Sequence, residues 1–354
     1  MMALSRVVAA LAFISRLSPI GLVQTPRAYS SLTARWLALV VMTFSQTGFA
    51  QSGAPAFPLK PVTLLVGFSA GSTTDASARV WAQLVSDSIG QQIMVVNRDG
   101  AAGYIAASAV AKAKPDGYTL MWGTASQLAA SPGYDKKIPY DALADFAPIS
   151  LYTYLPYIMA MHPAMPAKNL KELVTLARAY PDKVTFGSTG VGGILHLAVE
   201  LVRTKAGISM VHVPYRGTPT MMLDLLSGQV ALSVTSISLV LGHVQNNKLR
   251  AVAVTTTRRS GLVPDVPTMS EAGLGGYDIA GWYAPLAPAG TPRSVIDLFH
   301  KETLKALEHP RSKTFMAQEG AYAGGNTPEQ FAAYMRDEVA KYTQLVKDAN
   351  LKSE

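Results

Sequence analysis

Two stretches of glycine, serine and threonine carry most of the chemistry legible in this sequence. Gly67-Phe-Ser-Ala-Gly-Ser-Thr-Thr-Asp75 follows the apolar run Pro61-Val-Thr-Leu-Leu-Val66. Phe186-Gly-Ser-Thr-Gly-Val-Gly-Gly193 follows Val184-Thr185. Each reads as a strand running into a small-residue loop that opens a helix. Glycine lets the backbone turn sharply and lets another group approach it closely. Free N–H groups of a first helical turn, the positive dipole end and nearby hydroxyls then bind an anion without any cationic side chain. Two such loops facing each other across a cleft suit a carboxylate or dicarboxylate, at strand carboxyl ends where α/β proteins bind ligands. Taken singly, each loop is also simply a helix cap.

Other chemistries find less support. Neither loop has the Gly-Lys-Ser/Thr ending of a phosphate loop or a Gly-x-Gly-x-x-Gly. Gly67-Phe-Ser69-Ala-Gly71 does match the Gly-x-Ser-x-Gly nucleophile elbow, which would make Ser69 a hydrolase nucleophile with a base among His243, His300 and His309. Only about sixteen residues would precede Gly67 in an exported chain, too few for the upstream strands that supply the second oxyanion donor. The histidines (His162, His196, His212, His243, His300, His309) never stand three or four apart, and there is no cysteine. Metal sites, disulfides and thiol catalysis are therefore not expected. His196, at the mouth of the second loop, either orients that loop or donates to an anion.

The elements around these loops follow from periodicity. After Asp75, a plausible N-cap, a helix carries Val80, Trp81, Leu84, Val85 and Ile89 on one stripe and stops at Gly90. Strand 93–96, helix 105–112 and strand 118–122 complete a β-α-β-α-β unit with right-handed crossovers and a parallel sheet. A second unit has a helix from 169 to about 180, strand 184–186, helix 196–206, strand 210–214 and helix 219–226. Strands 230–234 and 251–255 follow, then helices 292–307 and 327–349. Extended stretches 146–161 and 277–288 separate the units. Two crossings between two α/β units predict two lobes joined by a hinge, with a cleft between. The expected boundaries are 51–155 plus 285–354 for lobe 1 and 156–284 for lobe 2.

Composition narrows the class further. The 354 residues are 49% hydrophobic and 15% charged, with a formal charge of +8. Residues 1–50 hold Arg6, Arg16, Arg27 and Arg35 and no acid; the remainder carries 27 basic and 23 acidic side chains, a net of +4. No basic block is left to track a nucleic acid. Arg35, the apolar run Trp36-Leu-Ala-Leu-Val-Val-Met-Thr-Phe44 and small residues Gly48 and Ala50 read as a signal peptide cut after Ala50. That run is far below the roughly 20 residues that span a bilayer. Residues 1–30 read as an upstream extension from an over-long start. The expected product is exported to the periplasm.

Several motifs in order resemble one family. They are the first loop with Thr74-Asp75; Asn97-Arg-Asp-Gly-Ala-Ala-Gly103; Ala111-Lys-Ala-Lys-Pro-Asp-Gly-Tyr-Thr119; Gly187-Ser-Thr-Gly-Val-Gly192 with His196-Leu197; and Val213-Pro-Tyr-Arg-Gly217. Pro264-Asp-Val-Pro-Thr268 with Glu271-Ala-Gly273 and Ala287-Pro-Ala-Gly-Thr-Pro292 complete the set. Across 57–350 the chain resembles the Bug-type (TctC-like) extracytoplasmic solute receptors of tripartite tricarboxylate transporters. The resemblance implies an α/β, two-lobed, periplasmic-binding-protein-like fold, each lobe a mostly parallel sheet flanked by helices, with a hinge of two crossing strands. It implies capture of a small carboxylated acid, partly through waters, and delivery to membrane permease subunits, by a non-enzymatic monomer without cofactor. Presentation of the ligand to a receptor kinase is an alternative end. Carried over by position, the ligand-binding residues are Phe68, Ser69, Ser72, Thr73, Thr74, Asp75, Ser188, Thr189, Gly190, Gly192, Gly193 and His196. The chain departs from the pattern at Gly67, where Pro is common, at Ser72, where Gly is common, and at Gly193, where Ser or Thr is common. Loss of a hydroxyl at 193 removes a donor, and the gain at 72 shifts the ligand toward the first lobe. Tyr215 and Arg216 are candidates to gate the cleft, and Trp282 and Tyr283 to pack in the hinge or stack on ligand.

Overall fold

The chain lays down one supersecondary unit twice. A computed structural model describes residues 57–135, 137–348 and 350–351 of the 354. The expected signal peptide, its cut after Ala50 and the extension 1–30 lie outside the described residues. In the first unit β1 (Val62–Val66), α1 (Thr73–Ile89), β2 (Ile93–Asn97), α2 (Tyr104–Ala111) and β3 (Thr119–Thr124) form a parallel sheet ordered β2-β1-β3. Right-handed crossovers in opposite directions put α1 and α2 on opposite faces, which is why four of five β1 side chains are buried. After β3 come a π-helical turn (Ser126–Ala130), the short α3 (Ser131–Tyr134) and β4 (Phe146–Pro148).

β5 (Thr153–Met161) and α4 (Leu170–Ala179) lead to the second unit. There β6 (Thr185–Ser188), α5 (Ile194–Ala206), β7 (Val211–Pro214), α6 (Thr218–Ser227) and β8 (Leu232–Ser236) repeat the design, with β6 parallel to both β7 and β8. Then follow α7 (Ile237–Gln245), β9 (Arg250–Val254), β10 (Ala280–Pro288), α8 (Arg293–Glu308), α9 (Pro310–Glu319), β11 (Tyr322–Ala323) and α10 (Pro328–Asp348).

The remaining strand pairs are antiparallel. β5 serves both lobes, pairing with β10 through Thr153–Pro156 on one side and with β8 and β9 through Tyr157–Met161 on the other. β10 returns beside it and pairs with β3 and β4, while Ile279 just before it donates its N–H to the Thr255 carbonyl. These two segments are the crossings between lobes.

The first lobe's core is stapled at its polar edges. Trp81 and Trp122 pack with ring centroids 5.5 Å apart, and their indole N–H groups donate to Thr303 and Ser77. Trp282 lies fully buried among Phe331 and Tyr334, so it packs the hinge and the C-terminal helix. α1 ends at Gly90 in a left-handed conformation, with φ 69°. Its N-cap is Ser72, not Asp75: the Ser72 hydroxyl accepts from the Asp75 N–H, and Asp75 stands in the first turn. α7 and α9 are absent from the periodicity reading. Ile237-Ser-Leu-Val-Leu follows β8 without a spacer or a side-chain cap, so its apolar run continues that of the strand.

Candidate functional site

Four helices begin at one cavity. It encloses about 40 Å³ and is lined by Ser72, Thr73 and Thr74 at the start of α1, Ile194 and Leu195 of α5, Thr218 of α6, and Ser236 and Leu239 of α7. Phe68, Thr124, Ser126, Tyr157, Thr189, Thr235 and Tyr283 complete the wall. Eleven of the fifteen lining residues carry a hydroxyl, and none carries a charge at neutral pH. Only α1 has a side-chain N-cap; Gly193, Gly217 and Ser236 precede α5, α6 and α7 without one. First-turn N–H groups have no acceptor within their own helix. Those not already bonded, as the Asp75 and Ile194 N–H groups are, face this cavity at the positive ends of four helix dipoles, an arrangement suited to an anion.

Burial keeps the two tyrosines neutral. It raises the Tyr157 and Tyr283 phenols well above their ordinary value, and Tyr283 accepts a hydrogen bond from Thr74 at 3.3 Å. Both hydroxyls therefore remain donors. Glu319, at the end of α9, stands behind the wall and accepts from Ser238 in the first turn of α7. Burial raises its pKa, opposed by the hydrogen bond from Ser238.

The twelve residues expected at the site divide into two groups. Phe68, Ser72, Thr73, Thr74 and Thr189 line the cavity. The other seven shape its walls. Asp75 accepts from the Gly71 N–H, the Arg79 guanidinium and the Asn97 amide, at 2.9–3.1 Å. Burial acts to raise its pKa, but these bonds outweigh that and hold it below the usual carboxylate value. Ser69 donates to Asp99 at 3.0 Å. Ser188 is fully buried and bonded to His212 Nε2 at 2.7 Å. His196 Nδ1 accepts from the Gly192 N–H at 3.1 Å, which places the ring proton on Nε2, 3.5 Å from Glu200. His196 thus orients the loop. Its ring stacks on His212, with centroids 4.2 Å apart. Burial, with His196 adding to it, pushes the His212 pKa down to about 3.

The loop glycines answer to the opposite lobe. A Cβ on Gly190 (φ 132°) would sit 2.9 Å from the Ala102 nitrogen, and one on Gly192 (φ 73°) 2.7 Å from the Tyr134 ring. Gly193 faces Ala102 and Ser126 in the same way. These glycines let the lobes approach each other at the cavity rim.

Sequence reading missed Thr124, Ser126, Tyr157, Thr218, Thr235 and Ser236; Tyr283, a candidate for hinge packing or ligand stacking, lies on the cavity wall. Thr124 and Ser236 end β3 and β8, the third strand of each unit, so the repeated topology is the signal that marks them. Tyr215 and Arg216 line a separate surface pocket of about 440 Å³ with Tyr104 and Tyr134, not the cavity. Among the described residues there is no cluster of potential metal ligands and no helix long and apolar enough to cross a membrane.

A two-lobed α/β molecule whose lobes meet over a donor-lined cavity has the architecture of periplasmic solute-binding proteins. Residues 77–351 match the family described as tripartite tricarboxylate transporter family receptor. The chain is 33% identical to the protein BugT of Bordetella pertussis over 320 residues, covering 90% of this chain and 98% of that one. The solved periplasmic binding protein BugD is 32% identical, with a TM-score of 0.80, covering 84% of this chain and 100% of that one. A Rhodopseudomonas palustris protein solved with adipate is 31% identical (TM-score 0.80; coverage 84% and 99%). MatC of the same species, solved with malate, is 29% identical (TM-score 0.79; coverage 82% and 100%). The chain belongs to the tripartite tricarboxylate transporter receptor family.

Proposed function

We propose that this receptor captures a small carboxylated organic acid between its lobes and delivers it to the membrane permease subunits of a tripartite transporter, without chemical turnover. The observation that carries the reading is the ring of four helix starts, three of them without a cap from their own N-cap residue, around a cavity with no charged wall. The adipate and malate held by the two R. palustris relatives support a carboxylate as the ligand class. Ser72, Thr73, Thr74 and Thr189 are the expected direct contacts; Asp75, Ser188 and His196 hold the loops. Ser69 serves Asp99 and the loop, not a nucleophilic attack. The working protein is an exported monomer cut after Ala50, with lobes 51–155 plus 285–354 and 156–284.

A thermal-shift panel of mono- and dicarboxylates, including malate and adipate, tests this. A ligand at about 100 times its dissociation constant stabilises the native state by roughly 2.7 kcal/mol. Stabilisation by at least one acid, with the acid recovered unchanged, is the expected result. No response across the panel, or ester hydrolysis that disappears in Ser69→Ala, would overturn the reading.

A further inference from the structure

Helix α5 begins without a cap of its own, and the other lobe supplies the missing acceptor. Gly193 precedes the helix in an extended conformation (φ −71°, ψ 162°) and has no side chain to offer its first amides. Ser126 Oγ, carried on the first lobe's π-helical turn, accepts the Ile194 N–H at 2.8 Å. A Cβ at position 193 would meet that oxygen at 3.3 Å and the Ala102 Cβ at 3.2 Å, so the bare glycine leaves room for the hydroxyl from across the gap.

The turn that carries Ser126 is rigid for traceable reasons. Thr124 Oγ1 accepts from the Gln127 N–H and donates to Gln127 Oε1. The fully buried Gln127 amide donates to the Gly103 carbonyl at 3.0 Å. Side chains at Gly67 or Gly103 would collide with Gln127, so both glycines accommodate this strut. A second hydroxyl of the same segment, Ser131, donates to the Gly192 carbonyl at 3.3 Å.

Ser126 is only 3% exposed and also lines the cavity. Its oxygen is occupied as an acceptor, and among the described residues no protein group accepts its proton. A buried donor without an acceptor is unfavourable, and a ligand oxygen placed there would remove the penalty.

We infer that Ser126 is a positioning residue for ligand capture: it caps the second lobe's helix from the first lobe and directs its own proton into the cavity, so that closure is most stable over a ligand presenting an oxygen acceptor. The inference rests on the carboxylate reading for the nature of that oxygen, but the cap itself is independent of it.

The test compares hydrogen exchange in segment 190–196 and the radius of gyration for the wild-type receptor, Ser126→Ala and Ser126→Ala/Gly193→Ser. Ser126→Ala removes one oxygen beside small residues, and its thermal midpoint checks that the fold is intact. Exchange in the segment is expected to rise about fivefold, the loss of an average cap, and the radius to shift toward an open molecule. The double variant restores a cap within the second lobe, so protection is expected to recover while the radius stays open. A merely structural role for Ser126 would not separate those two readouts. Wild-type exchange and radius in Ser126→Ala would overturn the inference, as would a double variant that closes as well as wild type. Failure of the carboxylate reading shows separately, as no stabilisation by any acid in the panel while the exchange difference persists.

Discussion

Ser69 and Gly217 face each other across the two lobes: a Cβ at position 217 would lie 2.1 Å from the Ser69 hydroxyl. Ser69 is held from behind by Asp99, so it cannot simply swing away from an incoming methyl group. The residue that resembles a hydrolase nucleophile is thus a surface on which the second lobe comes to rest.

Gly217→Ala is accordingly expected to weaken ligand binding by about tenfold, near 1.4 kcal/mol. Its extended backbone (φ −169°) tolerates alanine, so the thermal midpoint of the ligand-free protein should hold. Calorimetry paired with thermal melts checks this, and Ser69→Gly in the same background should recover part of the lost affinity.

Gly190→Val should be more severe. Its φ of 132° is hostile to any side chain, and the Cβ meets backbone atoms of Ala102. Strain of about 1–3 kcal/mol is expected in the closed form, with binding reduced accordingly. Unchanged affinity would show that the second loop does not meet the first lobe when ligand is held.

His212 makes a pH prediction with a definite sign. Its folded pKa is depressed to about 3, below the roughly 6.5 of an exposed histidine. Between those values the unfolded chain takes up a proton that the folded one refuses, so stability is full above about pH 6.5 and falls as the pH drops toward 3. Thermal midpoints across that window should fall less steeply in His212→Gln, which keeps a donor for Ser188 but does not titrate.

Glu319 works in the opposite sense. Its folded pKa is raised, so its contribution is fully present below the ordinary carboxylate value and is lost as the pH rises through the folded one. Glu319→Gln should flatten that part of the stability profile. It should also tighten acid binding at pH values above the folded Glu319 pKa, because the negative charge beside Ser238 is then gone. Equal affinity in both proteins would place Glu319 outside the reach of the ligand.

Much of the fold was legible because local signals agreed with each other. Gly90 ends α1 in the sequence and in space, and the loops after β1 and β6 stand where α/β sheets bind ligands. The cavity wall was only half legible. Tyr157 comes from a crossing strand that is apolar and buried almost throughout, which gives no hint of which side chain meets a ligand. Ser126 acts on a helix 68 residues away in sequence, and no local pattern encodes that. Ser188 and His196 stand at the expected loop, and orienting that loop was one of the two roles open to His196, but the partner of Ser188 lies 24 residues away in sequence, at His212. Their types suit an anion, yet burial against His212 and Glu200 uses them to hold the backbone.

A wall built from hydroxyls, amides and helix ends has a consequence for the conditions under which the receptor works. Mobile ions screen charges that face solvent, over a Debye length of about 8 Å at physiological ionic strength, and act weakly on groups shut inside a cavity. With no lysine or arginine on the wall, there is little for salt to mask. The bound state should therefore keep its affinity from dilute medium to brine.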